Sequence, residues 1–258
     1  MAKHRHLKHL PHYGGLEQGE HCLMLKFQKP VVNLREALRN RGFIAKCGNL
    51  VIRGLLELLE ELRRADATLH TLEPRSIFIS AMGTKLMAAD LFAVCFRGLR
   101  VLEPPALWMP YSNQQLREHS LTTCHMQERD MWSVGMIILE ILVGTEMVLG
   151  LKTNDQVKEV VYYITPWVGQ RLSSLLMGLL FEVKWKAVGA ALADGVLDSE
   201  KKVARAISEV ESGMAQHPKL QKIVDEFLEK AALNPAAAMS KWKYDVAERE
   251  DAQRAGQK

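Results

Sequence analysis

Residues Asp130 to Gly144 read D-M-W-S-V-G-M-I-I-L-E-I-L-V-G. Wound at about 3.6 residues per turn, the apolar side chains from Met131 to Val143 fall on every face of the helix. A helix that is hydrophobic all round is a buried one, so the remainder of the chain must wrap it. Glu140 interrupts the run, which stays short of the roughly 18 apolar residues that a membrane span needs. The expectation is a water-soluble globular protein built around one central helix.

The rest of the composition agrees with that reading. A chain of 258 residues suffices for one domain and a tail. Hydrophobic residues at 48% and charged residues at 25% exclude a disordered or fibrous class. A net charge of +4 permits contact with nucleic acid or an acidic surface and demands neither. Cys22, Cys47, Cys95 and Cys124 lie far apart with no C-x-x-C pair, so neither a zinc site nor a disulfide framework is expected. Free thiols of this kind suit a reducing, intracellular and chiefly cytoplasmic setting. The first sixteen residues carry Lys3, Arg5 and Lys8 and no acid, a composition that keeps import into an organelle open. His4, His6, His9 and His12 are spaced by two and three, with no cysteine or carboxylate among them. They read as a basic surface patch, and no metal or cofactor is expected.

Helical signals dominate outside the central segment. Asn33-Leu34-Arg35-Glu36 has capping-box spacing and Gly42 sits where a helix would stop, predicting a short helix over Leu34 to Arg41. Leu50, Val51, Ile52, Leu55, Leu56, Leu58, Leu59 and Leu62 recur at helical spacing with acids between them. Thr165-Pro166 reads as a helix opening, followed by a stripe of Leu172, Leu175, Leu176, Leu179 and Leu180. Val203, Ile207, Val210 and Met214 follow Asp198-Ser199, and Leu220, Ile223, Val224, Phe227 and Leu228 follow His217-Pro218. Strands are expected only at Leu23 to Phe27, Ile77 to Ser80 and Lys85 to Met87. Between Arg97 and Glu128 the prolines Pro104, Pro105 and Pro110 break the pattern. After Asn234-Pro235 the composition turns charged and alanine-rich, with Trp242 and Tyr244 its large aromatics. That stretch reads as a solvated or docking tail.

Asp130, Trp132, Ser133 and Gly135 match the D-x-W-S-x-G entrance to the central helix of the protein-kinase large lobe, and on this motif the chain resembles a protein kinase. Where such a kinase carries H-R-D-L-K-P-x-N, Leu69 to Ser76 reads L-H-T-L-E-P-R-S. Leu72 and Pro74 keep their places. By this alignment the catalytic aspartate is Thr71, the phosphate-contacting lysine is Glu73 and the metal-binding asparagine is Ser76. His70 takes the arginine position of that loop and is read as a structural group. Counting onward places the metal motif at Ala89-Asp90-Leu91, so alanine stands at its aspartate; a register one residue later brings in Asp90. Trp108-Met109-Pro110-Tyr111 is similar to the W-M-A-P-E motif without its glutamate. Leu7 to Phe27 resembles the end of the regulatory helix and strands four and five of a small lobe. The glycine-rich loop, the lysine strand and the partner glutamate have no counterpart.

The resemblance implies a mainly α fold with a small β component, a kinase-like C-terminal lobe lacking most of the N-terminal lobe. Residues 1–32 would be a small-lobe remnant and hinge, 33–235 the large lobe and 236–258 a charged tail. It implies structural roles for Asp130, which would hold the catalytic-loop backbone, for Trp132, packed near Pro110, and for Gly135, which allows close backbone approach. A threonine hydroxyl does not accept a substrate proton as a carboxylate does, and Glu73 would repel phosphate. A lost general base costs roughly 10²–10⁴-fold in rate. The expectation is therefore a catalytically inactive pseudokinase serving as a scaffold subunit of a larger protein assembly. Two further readings stay open: an accessory protein that touches RNA in a ribonucleoprotein, and an allosteric regulator of an active kinase.

Overall fold

The computed structural model describes residues 9, 13–18, 23–27, 32–69, 72–79, 86–88, 95–96, 123–193, 197 and 199–233. These are mostly helical, with small antiparallel sheets. The strands are β1 (Tyr13–Gln18), β2 (Leu23–Phe27), β3 (Val32–Asn33), β4 (Ala67–Thr68), β5 (Ile77–Ile79), β6 (Leu86–Ala88) and β7 (Cys95–Phe96). The helices are α1 (Leu34–Arg39), α2 (Arg41–Ala65), α3 (Thr123–Val143), α4 (Thr145–Gly150), α5 (Asn154–Leu180), α6 (Trp185–Ala193), α7 (Glu200–Gln216) and α8 (Pro218–Leu233).

Helix α3 is the axle. From Arg129 to Val143 every residue is buried, and α3 packs against α2, α4, α5 and α7. The all-apolar reading of Asp130 to Gly144 thus translates into packing on every side. Trp132, 1% exposed, meets Phe181 edge to face at 6.0 Å. Gly135 lets the end of α5 close in, because a Cβ there would stand 2.6 Å from Leu180 Cδ2. No basic residue occupies the last turn of α3, and its terminal carbonyls are capped from outside. The Arg41 guanidinium donates to Ile141 O at 2.9 Å and Leu142 O at 3.1 Å, satisfying orphan acceptors at the negative end of the helix dipole.

Two expected helix boundaries are corrected. Gly42 does not stop a helix: α1 ends at Asn40, whose side chain accepts from the Phe43 amide at 2.9 Å and starts α2. The apolar face of α2 accordingly begins earlier than Leu50, with Ile44 and Cys47 buried, while Leu50 itself is 37% exposed. Nor does Thr165-Pro166 open a helix. Residues Val157, Val160, Val161 and Ile164 already form a buried stripe, so α5 starts at Asn154 under a Thr153 cap. The Thr165 hydroxyl bonds Val161 O at 2.8 Å and Ser173 at 2.9 Å. The break falls three residues after Pro166, at Gly169, with φ +77°.

The stripes of α5 beyond the break and of α7 are buried as their spacing predicts, whereas in α8 Leu220 is buried and Leu228 is 48% exposed. Helices α4 and α6 were not foreseen. Strands β2 and β5 match the sequence expectation closely, and β6 lies one residue later than expected. Strands β3, β5 and β6 form one antiparallel sheet in that order, while β1–β2 and β4–β7 are antiparallel pairs. Strand β1 contains two glycines, which obscures a strand signal. The short β3, β4 and β7 carry too few residues for periodicity to register. Among the described residues no helix is long and apolar enough to cross a membrane.

Candidate functional site

The segment singled out by sequence runs from the end of α2 through β5; its beginning lies against α3, and its 3₁₀ turn and β5 lie against α1. Asp130, 1% exposed, accepts a hydrogen bond at 2.9 Å from the backbone amide of Leu69, 61 positions away in sequence. A charged acceptor in a buried site makes this bond stronger than a neutral one, and it fixes the beginning of Leu69 to Ser76 on α3. Strand β4, just before Leu69, also packs against α3. Thr71, His70, Ala89 and Asp90 lie outside the described residues, as do Trp108 to Tyr111 and the tail.

The two remaining loop positions have local partners. Pro74–Ser76 forms a single 3₁₀ turn. The Ser76 hydroxyl donates to Glu73 O at 2.8 Å and accepts from the Glu73 amide at 3.1 Å. Both functions of that hydroxyl are used in closing its own turn. The Glu73 carboxylate is ion-paired with Arg75, so its charge is held by a neighbour two residues on. The turn is anchored in turn to α1: Asn33 caps that helix by accepting from the Arg35 amide at 2.9 Å, and its side-chain amide donates to Arg75 O at 2.6 Å.

Next to this anchor lies the charge that interrupts the apolar run of the central helix, with a partner that the sequence reading did not supply. Glu140 has no solvent exposure, and its carboxylate takes the Arg35 guanidinium at 2.6 Å and the Thr145 hydroxyl at 2.7 Å. The signal was available, since a carboxylate on a helix buried on all sides must find a partner. Which partner was not readable, because Arg35 is 105 residues away. Arg41 was missed for the same reason. Besides capping α3 it reaches Glu211 of α7 at 2.6 Å, so one side chain pins three helices.

His9 is the member of the histidine run that is described. It is 3% exposed rather than part of a surface patch, which corrects the sequence reading at that position. Its Nδ1 lies 2.9 Å from Glu61 Oε1, its Nε2 lies 3.4 Å from Glu57 Oε2 and its backbone amide donates to Glu61 at 3.1 Å. Residues one turn apart on α2 thus hold the His9 imidazole between them. Among the described residues no group of three or more His, Cys, Asp or Glu side chains is placed to hold a metal. Cys47 is a buried free thiol, pushed from the ordinary 9.0 up to about 11 by burial, with the Glu200 charge adding to the effect.

Taken together, the arrangement ties side chains to backbone: Asp130 to the Leu69 amide, Asn33 to the Arg75 carbonyl, Ser76 to the Glu73 carbonyl. Among the described residues of the loop, Glu73, Arg75 and Ser76 have partners close by in the chain. No family model and no curated protein matches the sequence.

Proposed function

We propose that this chain is a kinase-like large lobe without phosphotransfer chemistry, a pseudokinase that serves as a folded platform in a protein assembly. The observation that carries the reading is the pairing of Asp130 with the Leu69 amide, at the head of a central helix buried on every side. That joint supports a loop held in the kinase manner. The side chains in the loop support the loss of chemistry: Glu73 is paired with Arg75, and Ser76 closes its own turn. A phosphate approaching Glu73 would meet a carboxylate, and no lysine stands there to offset the charge.

The assembly role has its own support. Among the described residues hairpin β1–β2 pairs with no other strand, and a strand edge that stays unpaired invites association. A two-stranded ribbon is marginal alone in water, so a partner that covers it would stabilise the chain. The test is direct. Purified chain is heated with and without millimolar Mg-ATP, and phosphate release and peptide phosphorylation are followed in parallel. The expected result is no nucleotide-dependent shift in Tm and no turnover. A strong shift together with turnover that disappears in Asp90→Ala would overturn the reading.

A further inference from the structure

We draw no further inference here: the strongest candidate, the half-open cleft of about 270 Å³ between α5 and α8 bordered by Lys152, Glu159, Tyr163, Lys219, Lys222 and Glu226, carries nothing, because its carboxylates are already paired with lysines of the same cleft and nothing in the structure shows what covers it.

Discussion

Asp130 accepts the Leu69 amide in a site closed to water, so its carboxylate cannot be removed without leaving a buried donor unmatched. Asp130→Ala is expected to lower unfolding free energy by about 1–3 kcal/mol, read as a lower urea midpoint at unchanged m. Ser133, one turn on, is the comparison: its hydroxyl donates to Arg129 O of its own helix at 2.9 Å, and Ser133→Ala should cost less. An Asp130→Ala variant as stable as the parent would remove the joint from the account. Cys47 gives a prediction in pH. Its thiol is pushed up to about 11 in the fold against an ordinary 9.0, so the native state keeps its proton where the unfolded chain loses it. The corresponding stability is fully present below about pH 9 and is lost as pH rises through about 11. Since the thiolate is the reactive form, peptide-mapped alkylation near neutral pH should leave Cys47 unmodified in the native chain and label it in denaturant. Rapid native labelling would contradict its burial.

Between elements, the bond with most at stake is Arg35 to Glu140, which ties α1 to the core helix. Removing one member of a buried pair costs up to about 3–5 kcal/mol, here lessened by the Thr145 hydroxyl that still donates to Glu140. Arg35→Ala should show that loss, whereas Arg35→Met combined with Glu140→Leu should recover much of it. A double-mutant cycle by urea unfolding measures the coupling, and additive losses would show that the two side chains act independently. Two glycines separate backbone conformation from space. At both Gly169 and Gly189 an added Cβ meets nothing within 4 Å. Gly169 has φ +77°, so Gly169→Ala is strained and should destabilise by about 1 kcal/mol. Gly189 lies inside α6, so Gly189→Ala should stabilise by about 0.5–1 kcal/mol. Thermal melts of both variants decide it, and shifts of the same sign would refute the assignment of the break in α5.

Across the molecule, the buried residues of α1 to α7 and Leu220 of α8 join in one core around α3. Much of that core was legible, because burial on all sides and helical stripes are properties of local order: Val203, Ile207, Val210 and Met214 need only be spaced correctly to face inward together. Boundaries were less legible. Asn40 outcompetes Gly42 because its backbone amide closes α1 on Ala37 O while its side chain starts α2, and Thr165-Pro166 is overridden by the buried valines before it. In the candidate site, Glu73 and Ser76 were legible as residue types, and the expectation that they serve neither phosphate nor metal rests on the resemblance alone. Their partners Arg75 and the Glu73 backbone lie within three residues. Sequence by itself therefore determined the helical class, the central helix and the residue types from Leu69 to Ser76, since these depend on periodicity and on intrinsic chemistry. Only the tertiary structure decided that Asp130 holds Leu69, that Arg35 answers Glu140 and that Arg41 closes α3. Those pairings join residues 61 to 105 positions apart, and no local pattern encodes which distant groups meet once the core has closed.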